Sequence, residues 1–170
     1  NIERAIKKGS SNETNNLEEI KYEGFGPGGT SLIVETMTDN KNRTISEIRQ
    51  IFSKNGGSIA ENGSVSHSFT RKGELIYKED KNLETKIFDF AVELGADDIV
   101  SEDQNYIIYC DPEQIISIKE KIAELSIKPI SVSLTWLSKA KVNVDNKEDG
   151  KKLFNLINQL EDNEDVQNIS

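Results

Sequence analysis

The chain has 170 residues, a net charge of −9 and a hydrophobic content of 35%. This length suits one larger domain or two small ones. No apolar run approaches the roughly 20 residues that cross a bilayer, which excludes a transmembrane helix and a membrane partner. A single cysteine excludes an internal disulfide and is typical of a reducing compartment, so we expect a cytoplasmic protein.

The negative charge is concentrated in the middle of the chain. Residues 72–138 contain 7 lysines and arginines against 14 acidic residues. Nonspecific DNA affinity depends on cations that neutralise phosphates, so this segment is expected to repel a duplex. Any contact with nucleic acid is therefore expected elsewhere.

The first informative stretch is 22–44, YEGFGPGGTSLIVETMTDNKNRT. In it Gly24, Gly26 and Gly29 have the G-x-G-x-x-G spacing of dinucleotide-binding turns. Those turns lead into a helix N-terminus, whereas residues 30–37 are β-branched and apolar and predict a strand. We therefore expect no cofactor. A structural role in a tight turn, with close approach of an RNA or protein backbone as the alternative, is predicted for Gly24, Gly26, Pro27, Gly28 and Gly29.

A helix is predicted after this strand. Thr44 and Glu47 have the spacing of a capping box that would start it, and Gly56-Gly57 would end it. Residues 64–70 then alternate apolar or histidine positions with serines and predict a half-buried strand, completing a β-α-β unit. The apolar face of the helix comprises Ile45, Ile48, Ile51 and Phe52.

The middle of the chain has the β-α-β-β-α-β order of ferredoxin-like domains. Asp111 and Pro112 are predicted as N-cap and first-turn proline of its second helix. The predicted strands are 75–77, 98–101, 106–110 and 131–136. The apolar helix faces are Leu83, Ile87, Ala91 and Leu94, then Ile115, Ile118, Ile122 and Leu125.

The end of the chain predicts a second β-α-β: a strand at 139–144, a helix at 147–161 and a strand at 166–170. Neither this unit nor residues 30–70 has a partner of its own, so we predict that they are halves of one domain. The fold class is then α+β, with two ferredoxin-like α/β units, the second inserted into the first. The predicted domains are 18–71 plus 139–170, and 72–138, after a helical remnant and flexible linker at 1–17.

Catalytic chemistry finds little support in the sequence. His67 lies on the apolar side of a predicted strand and is interpreted as a packed or edge-exposed aromatic, and Cys110 as an inert buried thiol. One cysteine and one histidine do not make a usual zinc site. We predict no catalytic residue, no metal and no small-molecule substrate; a hydrolase with an acidic cleft is the alternative. A solvated surface is preferred over a magnesium site for Glu93, Asp97, Asp98, Glu102 and Asp103.

One basic turn is more typical of a binding site than any of these residues. It lies at a helix N-terminus, where free N–H groups and cations can hold a phosphate. The alternative is a capped helix with two solvated cations. The predicted nucleic-acid-binding residues are Asn40, Lys41, Asn42 and Arg43, extended by Arg49, Lys54, Arg71 and Lys72 if these share its face.

Together with residues 22–44, four further segments resemble the YebC/PmpR family, which includes the mitochondrial translational activator of cytochrome oxidase. Family members carry a basic helical domain before the first of these segments, so the chain is expected to be a fragment without it. The segments are NIERAIKKG (1–9), IFSKNGGSIAENGSVSHSF (51–69), VELGADDI (92–99) and LEDNEDVQNIS (160–170).

This resemblance implies a non-enzymatic regulator of gene expression, a DNA-binding transcriptional regulator by the family's customary description. The alternative is a ribosome-associated, RNA-binding translation factor that assists elongation through difficult, proline-rich stretches. The acidic body favours the alternative, because it suits a partner of folded RNA better than a groove reader. The partner implied is nucleic acid, either DNA or ribosomal RNA, bound mainly through the absent basic domain.

Overall fold

The computed structural model of the protein describes residues 16–170; the predicted helical remnant and most of the predicted linker lie outside this range. The helices are α1 (Lys41–Lys54), α2 (Glu84–Glu93), α3 (Ile115–Ala123) and α4 (Lys147–Asp162). The strands are β1 (Glu18–Phe25), β2 (Ser31–Thr38), β3 (Ser58–Ala60), β4 (Phe69–Lys78), β5 (Ala96–Glu102), β6 (Asn105–Cys110), β7 (Ser131–Ser138) and β8 (Val166–Ile169). No helix in this range is long and apolar enough to cross a bilayer.

The chain divides into two compact units, and one interrupts the other. The first unit comprises the residues up to Thr70 together with Ser138–Ser170, and the inserted unit is Arg71–Leu137. Each unit is built around a four-stranded sheet. The predicted α+β class, with a second unit inserted into the first, is confirmed.

The inserted unit has the strand and helix order that its sequence predicts. Its sheet order is β5-β6-β4-β7, and β6 lies antiparallel between β4 and β5. The helices α2 and α3 bury their apolar faces. The fully buried residues are Ile87 and Ala91 of α2 and Ile118 and Ile122 of α3. They join Leu75 and Tyr106 of the sheet in one core. The second helix begins differently from the prediction: Pro112–Gln114 form a 3-10 turn, and Asp111 makes no capping hydrogen bond.

The first unit reaches a similar sheet by a different chain order. Its sheet order is β3-β1-β2-β8, so the elements before the insertion run β-β-α-β and those after it run α-β. Pairing of β2 with β8 confirms that the two halves share one sheet. The strand predicted at 139–144 is wrong, because β8 occupies that edge of β2 and residues 139–146 have no regular structure. Side chains here are largely exposed, as with Val142 at 55%.

The strand predicted at 64–70 is also wrong in its first half. Ser66–Ser68 form a 3-10 turn, and β4 begins only at Phe69. The amide groups of Val65 and Ser66 donate to a side-chain carboxylate instead of a strand partner. The apolar–serine alternation therefore mimics a strand in a segment whose N–H groups are already used.

The core of the first unit lies between its sheet and two helices. Ile48 and Phe52 of α1 and Leu156 and Leu160 of α4 are fully buried, and they pack with Val34 of β2. Burying a side chain of this size contributes about 1.5–3 kcal/mol. These contacts fix α1 against the sheet, and the outer side of α1 stays exposed.

Candidate nucleic-acid interface

The N-cap of helix α1 lies four residues earlier than the predicted capping box places it. The N-cap is Asn40, whose side-chain oxygen accepts the N–H of Arg43 at 3.1 Å. Thr44 lies inside the first turn, fully buried, and its hydroxyl is 2.8 Å from both Thr38 Oγ1 and Asp165 Oδ2. The capping-box prediction is therefore wrong, because Thr44 links the helix to Thr38 of β2 and to Asp165 in the turn before β8 instead of capping it.

Arg43 is part of the same internal network. Its Nη2 donates to Asp165 Oδ2 at 2.9 Å and to Asp39 Oδ1 at 3.1 Å. Hydrogen bonding to Asp165, together with that residue's charge, raises the pKa of Arg43. Asp165 is only 3% exposed, so Arg43 neutralises a buried carboxylate. One of the two cations of the predicted basic turn thus has a structural partner.

The other cations of α1 are more available. Lys41 pairs with Glu18 at 3.0 Å, and both side chains are more than half exposed. Such an exposed pair is worth little and exchanges easily for another anion. Arg49 and Lys54 are exposed and have no ion pair among residues 16–170. Helix α1 contains four basic residues and a single acidic residue, Glu47.

The outward side of α1 is otherwise polar and uncharged. A helix of 14 residues is about 20 Å long, enough to follow several phosphates of a nucleic-acid strand. Hydroxyl and amide side chains are common donors to phosphate oxygens. The exposed residues of this kind are Asn42, Ser46, Gln50 and Ser53.

Arg71 and Lys72, predicted to extend the patch, belong to the inserted unit. Lys72 is largely buried and pairs with Asp111 and with Asp97, the latter at 2.8 Å. Its hydrogen bonds to these two carboxylates raise the pKa of Lys72. Arg71 lies over the ring of Trp136, 4.9 Å from its centroid. Both cations thus have partners within their own unit.

The glycine loop between β1 and β2 packs closely against other residues of the first unit. Pro27–Gly29 form a 3-10 turn, in which Gly28 adopts a φ of 71° that disfavours any side chain. A Cβ on Gly24 would lie 2.5 Å from the Phe52 ring, and one on Gly26 would lie 2.5 Å from Thr30 Oγ1. The observed contacts are those expected of a structural turn. Of these four glycines, only Gly29 has open space where a side chain would be.

Sequence reasoning missed the most strongly bound carboxylate, Glu23 on β1. It is 1% exposed and accepts the backbone N–H groups of Gly63 at 3.0 Å, Val65 at 2.8 Å and Ser66 at 2.9 Å. Burial favours a raised pKa, but these bonds and Lys21 at 3.1 Å lower the pKa of Glu23 to about 2. Glu23 therefore fastens the loop before β4 onto the sheet. An acid placed between an aromatic and a glycine in a strand is the only local signal.

The remaining candidates, His67 and Cys110, belong to different units. His67 is exposed in its 3-10 turn, so its predicted place on a strand is wrong, although its interpretation as an exposed ring agrees with the structure. Cys110 is fully buried, and burial raises the pKa of its thiol. Among residues 16–170, no three histidine, cysteine or acidic side chains are grouped as metal ligands would be.

These features define a two-unit α+β protein with an exposed, mainly cationic helix in its first unit. Residues 17–170 match the family described as the TACO1/YebC second and third domain. The chain belongs to this family.

Individual relatives agree with this assignment. A probable transcriptional regulatory protein of Sulfurihydrogenibium sp. (strain YO3AOP1) is 42% identical over 171 residues, covering 99% of the chain and 68% of the relative. The crystal structure of a conserved hypothetical protein from Aquifex aeolicus is 38% identical and superposes with a TM-score of 0.85. That match covers 99% of this chain and 70% of the other.

Proposed function

We propose that this protein is a non-enzymatic, cytoplasmic regulator of transcription that binds DNA. The observation that carries the proposal is the family match over residues 17–170, together with a 42% identical relative named as a probable transcriptional regulatory protein. Fold by itself is silent on function, because ferredoxin-like units serve many unrelated tasks.

The surface proposed to meet DNA is the outward side of α1. Lys41, Arg49 and Lys54 supply cations that are free to exchange partners, and the N-terminal turn at Asn40 and Asn42 supplies polar groups. Contacts of this kind position a protein on the phosphate backbone without reading bases. The proposal assigns the α1 surface to backbone contact.

Arg43, Arg71 and Lys72 are proposed to have structural roles instead. Moving Arg43 to a phosphate would take its positive charge away from the buried carboxylate of Asp165, which is costly. Moving Lys72 to a phosphate would likewise remove the cation that pairs with both Asp97 and Asp111. These three residues are therefore removed from the proposed phosphate-binding set.

The inserted unit is proposed to stay off the duplex. Its segment 72–138 has twice as many acidic residues as basic ones, and a duplex would be repelled by this field. Most of the DNA affinity is then proposed to come from parts of the protein other than the inserted unit. The α1 surface adds a few phosphate contacts to that binding.

The proposal is tested by comparing DNA with RNA as a ligand of the protein as its gene encodes it. Binding to a pool of random 30-base-pair duplexes is measured at about 0.15 M salt and followed by selection of the tightest sequences. A transcription regulator is expected to prefer its selected sequence over random duplexes by about 10³-fold or more. Folded RNA hairpins of equal length serve as the comparison. Preference for the hairpins, with no sequence selected from the duplex pool, would contradict the proposal and favour a ribosome-associated role.

A further inference from the structure

Strand β7 is an edge strand without the usual protection of an edge. It has β4 as its only neighbour in the sheet order, and its sequence SVSLTWLS contains no charged residue. Val132 is 39% exposed and Leu134 is 43% exposed. An uncharged edge with exposed apolar side chains is a template for pairing with another strand.

The opposite edge of the same sheet is protected. Strand β5 carries Asp97, Asp98 and Glu102, and its pairing with β6 is irregular between Ala96 and Asp98. Charges and irregular pairing are the devices by which natural proteins prevent edge-to-edge association. The charges on β5 and their absence from β7 point to β7 as an interaction surface.

Three of the four apolar side chains of β7 share one face of the sheet, and the fourth, Leu137, lies on the other. Val132, Leu134 and Trp136 alternate with smaller polar residues, so they lie on the same side. Trp136 is fixed there by Arg71, 4.9 Å above its ring. From the other side Ser133 contacts Glu74 at 3.3 Å.

We propose that β7 pairs antiparallel with β7 of a second copy of this chain, with the two-fold axis at Leu134. In that register Leu134 lies opposite Leu134 of the second copy, and Val132 lies opposite Trp136 of the second copy. Directly opposed residues in an antiparallel pair point to the same face, so every pair on this face is apolar. The contact is isologous and closes as a dimer.

The self-complementary apolar register favours a second copy as the partner, and the absence of charge on β7 permits it. Two copies of net charge −9 repel each other over most of their surface, but pairing through β7 places no charged residue of the strand opposite another. The same pairing through β5 would bring Asp97, Asp98 and Glu102 against their own copies, which is unfavourable. Of the two edges of this sheet, β7 is therefore the one that allows self-association.

The dimer is expected to be weak and to depend on concentration and salt. A stable dimer interface buries about 1,200–2,000 Å², more than a single pair of short strands provides. Added salt screens the repulsion between the two acidic bodies and strengthens the dimer. This inference is independent of the function proposed above, since it concerns only the inserted unit's edge.

The experiment is sedimentation of the whole chain from about 10 µM to about 1 mM, a range that brackets weak dissociation constants. The weight-average mass is expected to rise from 19.1 kDa toward twice that value, and further at 0.5 M than at about 0.1 M salt. Leu134→Lys places two like charges on the axis and should keep the mass at 19.1 kDa. Val92→Lys, an equal change at a 64% exposed position on α2, should behave as the wild type.

A cross-linking experiment tests the register. Cα atoms of opposed residues are about 4.5–5.5 Å apart, within the range that a disulfide spans. Leu134→Cys should therefore form a covalent dimer with oxidised glutathione, and Val132→Cys, which faces Trp136, should form at least tenfold less. A mass of 19.1 kDa at all concentrations for the wild type, or faster cross-linking of Val132→Cys, would overturn the proposal. Circular dichroism of each variant confirms that the fold is kept.

Discussion

Replacing Glu23 by glutamine should destabilise the first unit strongly and remove a pH dependence that the wild type has. The Glu23 carboxylate accepts three backbone N–H groups from the loop before β4 and an ion pair from Lys21. A glutamine has one acceptor oxygen, and its NH₂ group would meet a backbone N–H. At least one buried donor is then left unpaired, which costs about 1–3 kcal/mol.

The pKa of Glu23 gives a second estimate of the same size. Its usual value of 4.5 falls to about 2 in the folded protein. Because each unit of pKa corresponds to about 1.36 kcal/mol, the ionised carboxylate contributes about 3 kcal/mol near neutral pH. A lowered pKa stabilises the fold above the unfolded value and loses that effect as pH falls through the folded value. The loss is therefore expected between about pH 5 and pH 2.

Urea unfolding from pH 7 down to pH 2.5 measures this effect, and Glu19→Gln at the exposed N-terminal end of β1 is the matched control. Glu23→Gln should be about 3 kcal/mol less stable than the wild type at pH 7, and the difference should shrink as the pH falls. Hydrogen exchange at Gly63, Val65 and Ser66 should quicken in the variant. A difference below about 0.5 kcal/mol, or one that does not change with pH, would refute the role given to Glu23.

Three further changes have defined outcomes. Asp165→Ala should cost about 2–3 kcal/mol in urea unfolding, because a buried acceptor of charged and hydroxyl donors is lost, and adding Arg43→Ala to it should cost less than Arg43→Ala costs alone. Gly24→Ala should cost about 1–3 kcal/mol, because its Cβ would lie 2.5 Å from Phe52; no loss of stability would show that the contact relaxes freely. Cys110 should react with iodoacetamide only after unfolding, because its thiol is buried with a raised pKa; rapid labelling of the native protein would contradict this.

Much of the fold followed from hydrophobic periodicity, and the errors have physical causes. The four helices were predicted because their apolar faces repeat at helical spacing over nine to sixteen residues. The bounds of strand β1 were not predicted, because EEIKYEGF exposes its charged N-terminal half and buries Glu23 instead of an apolar residue. Residues 139–144 alternate as a strand does, but β8 occupies the place beside β2 in the sheet. Alternation alone does not report which edge is free.

The site was less predictable because its contacts are distant in sequence. The basic turn at the start of α1 was found from residue type, yet the partner of Arg43 is Asp165, 122 positions away. Glu23 and the loop that it holds are 40 or more positions apart. No local pattern separates a cation that binds phosphate from one that neutralises a buried acid. Only the three-dimensional arrangement leaves Lys41, Arg49 and Lys54 as the available set on α1.

The salt dependence of DNA binding tests most directly whether the cationic side of α1 meets phosphate. The protein as its gene encodes it is compared with Lys41→Gln, Arg49→Gln, Lys54→Gln combined, and with an equal loss of charge on the inserted unit. That control changes the exposed Lys86, Lys119 and Lys128 to glutamine. The slope of log K against log salt should become shallower by about 2–3 in the α1 variant, since each lost phosphate contact removes about 0.9, and should not change in the control. Equal slopes for the wild type and the α1 variant would show that DNA does not lie on this helix.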